Sequence, residues 1–106
     1  MRGFALHPET FDDLDQIREH IAEDSPEAAD RVITEIFDGI GALVPFPNQG
    51  YQRPNLTRRH LRFKLMRDYV IAYAPEKKPL WVVAVFHGRR SLRVMAAILK
   101  GREARS

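Results

Sequence analysis

Among the side chains in the second half of the chain of types that recognise or transform an anion are Arg53, Arg62, Lys64, His87, Arg89, Arg90 and Arg93. A guanidinium meets a carboxylate or phosphate with two parallel N–H donors, whereas an ammonium acts as a point charge. An imidazole can donate, accept or pass on a proton. Arg62 and Lys64 alternate with Leu61, Phe63 and Leu65, which puts the two cations on one face of a strand and the apolar three on the other. His87-Gly88-Arg89-Arg90 closes an apolar run. Each feature also has a plainer reading. Arg62 and Lys64 fit the solvated face of an amphipathic strand, and His87 fits a packed strand-end histidine hydrogen-bonded to backbone. Gly88 supplies a positive φ or a close backbone approach. His60, beside Arg58 and Arg59, reads as plain surface or as a phosphate contact. His7, His20, His60 and His87 stand at no ligand spacing with carboxylates, and the chain has no cysteine. No metal site and no cofactor are expected.

Three strand-like runs carry Arg62 and Lys64 or lead into His87, Arg89 and Arg90: residues 61–65, 69–74 and 80–86. The first two form a hairpin that turns at Arg67-Asp68, and the third is apolar throughout, as in a central strand covered on both faces. Tyr69 and Tyr73 share a face of the middle run, where core packing under a helix competes with base stacking. Ahead of the hairpin, residues 2–6 read as a short first strand broken by His7-Pro8. Phe11, Leu14, Ile17 and Ile21 then follow at helical spacing, with Asp12, Asp13, Asp15, Glu19 and Glu23 on the other faces. Ser25-Pro26 starts a second helix that turns Ala29, Val32, Ile33, Ile36, Phe37 and Ile40 inward. With almost nothing between them, the two helices should pack as an antiparallel hairpin. Residues 45–59, with three prolines and a glycine, are the least regular part. Ser91 caps a last helix in which Leu92, Met95, Ile98 and Leu99 share a face, and Gly101 would end it in a left-handed cap. The fold class is α+β in the order β-α-α-β-β-β-α. A helical hairpin packs on a small, mainly antiparallel sheet, and a C-terminal helix follows, as one domain over residues 1–106.

The chain has 106 residues, 44% of them hydrophobic, which suits one modest core. Its net charge of +3 conceals a split. Residues 1–50 hold eleven acids and three bases, net −8; residues 51–106 hold three acids and fourteen bases, net +11, and ten of those bases are arginine. A basic half implies an acidic partner, either nucleic acid or an acidic polypeptide. No apolar run nears the roughly 20 residues of a membrane span, and the N-terminus lacks the apolar stretch of a signal peptide. A soluble cytoplasmic chain with no membrane partner is the expectation.

Four segments resemble the RelE/ParE superfamily of bacterial toxins from type II toxin–antitoxin systems. Phe11-Asp12-Asp13-Leu14-Asp15-Gln16-Ile17, with residues 21–31, looks like the ParE-type helical hairpin. Gly50-Tyr51-Gln52-Arg53-Pro54 resembles the loop that leads into the sheet. Leu61-Arg62 followed by Tyr69-Val70-Ile71-Ala72-Tyr73 looks like the central hairpin, and Val85-Phe86-His87-Gly88-Arg89-Arg90 resembles the end of the last strand. The match covers roughly residues 3–100. One position departs: Ser91 stands where ParE-like chains carry an acid, and either residue caps a helix.

The ParE branch implies a non-catalytic inhibitor, with DNA gyrase as its typical target. The residues that would bind the target or the antitoxin are Arg53, Arg62, Lys64, His87, Arg89, Arg90 and Arg93. The RelE branch implies instead a ribosome-dependent mRNA endonuclease, in which Arg62, Lys64, His87 and Arg89 would act on the phosphate and its protons. Cleavage through the 2′-hydroxyl needs a base, an acid and cations. Residues 91–106 hold no Tyr, His or Asp and only one Glu, Glu103, so the general acid of that branch has no evident candidate. The ParE reading is preferred. Either branch implies a cognate antitoxin whose acidic, amphipathic segment folds on the toxin in a hetero-oligomer. A third reading is a small basic nucleic-acid-binding domain.

Overall fold

The computed structural model describes residues 3–102. Strand β1 (Phe4–Leu6) leads into helix α1 (Pro8–Ala22), and helix α2 (Pro26–Leu43) follows after a tight turn. Strands β2 (Arg62–Met66), β3 (Tyr69–Ala74) and β4 (Leu80–His87) come next, and helix α3 (Leu92–Gly101) completes the order expected from the sequence. The sheet runs β1-β4-β3-β2; β1 lies parallel to β4, and the other pairs are antiparallel. No helix among the described residues is long and apolar enough to cross a membrane.

Local chemistry sets the element ends. His7 Nδ1 accepts the Glu9 N–H at 3.0 Å and Pro8 occupies the first turn of α1, so β1 stops after three residues. Ser25 Oγ caps α2 by accepting the Ala28 N–H at 3.1 Å, and Ser91 Oγ caps α3 through the Val94 N–H at 3.2 Å. The expected left-handed cap at Gly101 is absent: Gly101 is the last helical residue and Arg102 follows at φ −96°. The Arg102 N–H closes the helix on the Ile98 and Leu99 carbonyls at 3.1 and 3.3 Å.

The sheet is covered on both faces. Leu14, Ile36, Ile40 and Leu43 of the helical hairpin pack on Tyr69, Ile71, Tyr73, Val82 and Val85. Met95 and Leu99 of α3, with Leu56 and Leu61, pack on Phe63, Val70, Ala72, Val83, Ala84 and Phe86. Val83 and Ala84 are consecutive yet share a face, because the register slips there: Ala72 pairs with Ala84 but Tyr73 pairs with Val82. Val83 is the extra residue of a bulge. Both tyrosines of β3 are core residues under the hairpin, as the packing reading of that face has it.

Three assignments of faces are corrected. Phe11, expected inward, is 54% exposed, and the buried position of that turn belongs to Thr10, whose hydroxyl donates to the Val83 carbonyl at 2.8 Å. Arg62 and Lys64, expected on an outer strand face, lie half-buried on the hairpin side of the edge strand. Leu65, expected inward, is 55% exposed on the α3 side, at a corner of the edge strand. Alternation alone separates two faces but cannot tell that both are covered.

The irregular stretch before β2 is pinned. A 3₁₀ turn at Pro47–Gln49 precedes Tyr51, which pairs with Phe63 through N–H···O bonds of 3.0 and 2.8 Å. The buried Tyr73 hydroxyl donates to the Pro47 carbonyl at 2.6 Å and accepts the Gly50 N–H at 3.0 Å. A Cβ on Gly50 would sit 2.6 Å from the Tyr73 oxygen and 2.8 Å from the Phe63 carbonyl, so only glycine fits.

Candidate functional site

The far end of β4 is where the chemistry collects. β1 pairs with β4 only as far as Val82, so the outer edge of β4 would be bare from Val83 onward. Side chains replace the missing strand. The Val83 carbonyl accepts Thr10 Oγ1 at 2.8 Å and Arg102 Nη1 at 2.9 Å, and the Val85 N–H donates to Asp13 Oδ2 at 3.0 Å. Arg102 also grips Asp13 with both arms, Nη1 to Oδ2 at 2.7 Å and Nη2 to Oδ1 at 2.8 Å. Burial works against the Arg102 charge, but the hydrogen bonds to Asp13 and the nearby charges of Asp13, Glu9 and Asp12 outweigh it and raise its pKa. Two helices are thereby fastened to one strand edge.

Beyond Val85 this cover ends, and a hollow of about 330 Å³ opens between α1 and the strand. Gln16, Ile17 and His20 line it from the helix, and Tyr69, Val85, His87 and Arg90 from the sheet and the turn after it. Tyr69 and His87 meet edge to face at 5.3 Å between ring centroids. Burial, and then the Asp68 charge, push the Tyr69 phenol above its ordinary pKa, so it stands as a neutral O–H. His87 Nδ1 accepts the Arg89 N–H at 3.0 Å, which leaves the proton of the neutral imidazole on Nε2 as a donor. Gly88 has no positive φ; it gives a close approach, its N–H donating to the Asp68 carbonyl at 2.6 Å.

The sequence-derived residues do not form one surface. His87 and Arg90 share the hollow, and Arg89 and Arg93 stand exposed on the turn and on the first turn of α3. Arg62 and Lys64 lie apart from them on the edge strand β2, Arg62 Nη1 donating to the Gly50 carbonyl at 2.7 Å and Lys64 pairing with Ile71. Arg53 belongs to a third place, a small hollow with Arg58 and His60. Next to it a larger groove of about 600 Å³ runs between residues 54–59 and α3, with Arg58, Arg59 and Lys100 along it. Arg59 is tied to the Leu99 carbonyl at 3.0 Å, and exposed His60 pairs with Glu76 at 2.8 Å. Among the described residues no group of three His, Cys, Asp or Glu side chains could hold a metal ion.

Thr10, Asp13, Gln16, His20, Tyr69 and Arg102 were not legible as site residues. Asp13 did leave a signal: with Thr10, Leu14 and Ile17 it falls on one helical face, so one acid of α1 sits on the stripe that must be buried. Arg102 left none, lying past the last periodic residue of α3.

Comparison with known proteins agrees with this architecture. The family described as ParE toxin of type II toxin–antitoxin system, parDE, matches residues 4–92. A solved structure described as the chromosomal ParDE TA system from P. aeruginosa shares the fold, with a TM-score of 0.67 at 20% identity over 79% of this chain and 92% of that one. No curated protein matches the chain.

Proposed function

Because the chain belongs to the ParE toxin family of type II toxin–antitoxin systems, we propose that it arrests growth in the cytoplasm by binding DNA gyrase without catalysing a reaction, and that a cognate antitoxin neutralises it. The observation that carries this reading is the state of His87. Its Nδ1 is occupied by the Arg89 N–H, so the neutral ring offers a donor at Nε2 and no vacant base toward the hollow. Arg90 lines the same hollow, Arg89 and Arg93 stand exposed on the turn and helix that follow, and none of the three forms an ion pair among the described residues. A donor that shares its hollow with an unpaired guanidinium suits holding an anionic surface better than moving its protons. The antitoxin is a chain with an acidic segment that takes up these cations in a hetero-oligomer.

Induction of the chain without its antitoxin tests the reading, with transcripts and DNA followed in the same cells. Gyrase-dependent DNA damage with intact transcripts is expected, together with loss of growth inhibition in Arg89→Ala. Cuts mapped to translated codons would replace this reading with ribosome-dependent mRNA cleavage. Full growth inhibition by Arg89→Ala would remove the β4 end as the binding site.

A further inference from the structure

The hollow at the end of β4 is unusual in its balance of donors and acceptors. Its one carboxylate is Asp13, and both oxygens of Asp13 are already engaged by Arg102 and the Val85 N–H. Beside Gln16 and His20, which can accept as well as donate, what remains is donors. Tyr69 is only 8% exposed, yet its hydroxyl has no hydrogen-bond partner among the described residues and is not among the sealed-off polar atoms. A phenol so placed opens on the hollow, and leaving it unpaired there is unfavourable. The His87 ring, which meets Tyr69 edge to face and has its Nδ1 taken by the Arg89 N–H, lines the same space, as does Arg90 with an unpaired guanidinium. Ile17 and Val85 give the hollow an apolar wall.

We propose that this hollow is a seat for a single carboxylate, the side chain of an Asp or Glu on a partner polypeptide. Tyr69 Oη, His87 Nε2 and the Arg90 guanidinium donate to its oxygens, and Ile17 and Val85 pack on its methylene stem. A carboxylate supplies the acceptors that the donors lack, and an ionised acceptor makes each such bond stronger than a neutral one would. The rim decides between a peptide and a nucleic acid. Exposed Asp12 and Glu19 stand one turn to either side of Gln16 on α1, and Asp68 adjoins Tyr69. A backbone with a charge at every nucleotide would meet these acids as well as the donors; an isolated carboxylate would not. The seat follows from its own geometry and does not depend on gyrase being the target.

The test uses the full chain labelled with ¹⁵N and ¹³C, titrated with the blocked peptide acetyl-Leu-Glu-Leu-amide, its Gln counterpart, inorganic phosphate and a short single-stranded oligonucleotide. The Glu peptide should shift the resonances of His87, Tyr69 and Gln16 saturably, and the Gln peptide should bind about tenfold more weakly. Tyr69→Phe keeps the ring and should weaken the Glu peptide about tenfold, while Arg90→Gln, a change on an exposed side chain, should do so without any question of folding. Lys77→Gln, exposed and outside the hollow, should leave binding unchanged. Equal affinity for the two peptides, no saturable shift, or tighter binding of phosphate or the oligonucleotide at these resonances would each overturn the proposal.

Discussion

Asp13 and Arg102 lie 89 positions apart in sequence and form a two-armed ion pair with N···O distances of 2.7 and 2.8 Å, their side chains 14% and 9% exposed. The pair also satisfies the edge of β4, through the Val85 N–H and the Val83 carbonyl. It is therefore the lock between α1, α3 and the strand, and the floor of the hollow that follows.

Breaking this lock from one side leaves a buried charge and a bare strand edge. Arg102→Met should destabilise the fold by about 3–5 kcal/mol, read from urea unfolding. Asp13→Leu combined with Arg102→Met should cost less than the sum of the two single changes, because neither charge is then stranded. Strict additivity would show that the two residues act separately.

Glycines 50 and 39 should respond differently to alanine. At Gly50 the added methyl meets the Tyr73 hydroxyl and the Phe63 backbone, neither of which can yield, and a loss of about 1–3 kcal/mol is expected. At Gly39 the nearest atom is the terminal methyl of Met66, the far end of a flexible side chain. Alanine there also gains up to about 1 kcal/mol of helix propensity, so Gly39→Ala should leave the melting temperature nearly unchanged. A milder effect at Gly50 than at Gly39 would show that the Tyr73 anchor is soft.

Stability should decline at alkaline pH for a definite reason. Burial raises the pKa of both Tyr69 and Tyr73 above the ordinary 10.0; the Gly50 hydrogen bond and the Arg62 charge oppose this only in part at Tyr73. The folded chain keeps its phenol protons where the unfolded chain has lost them, so stability is full below about pH 10 and falls as pH rises beyond it. Unfolding free energy measured across that range should show the decline, and Tyr73→Phe should flatten it. An unchanged slope in Tyr73→Phe would assign the decline to other groups.

The sequence by itself determined what neighbouring residues decide. The helical hairpin follows from apolar spacing and the Ser25-Pro26 boundary, the strand hairpin from alternation around Arg67-Asp68, and the last helix from its Ser91 cap. Motifs along the same segments pointed to the ParE family, which covers residues 4–92. Tertiary structure decided the rest. Arg62 and Lys64 looked outward because alternation marks two faces without saying what covers each; α2 and the loop at Gly50 settle that. Charge counts along the sequence carry no positions, and the fold divides the arginines among the β4 end, the edge strand and the loop before it. Asp13, Tyr69 and Arg102 became site residues only because β1 is too short to cover β4. That shortfall is met by contacts between residues as much as 89 positions apart, which no local pattern encodes.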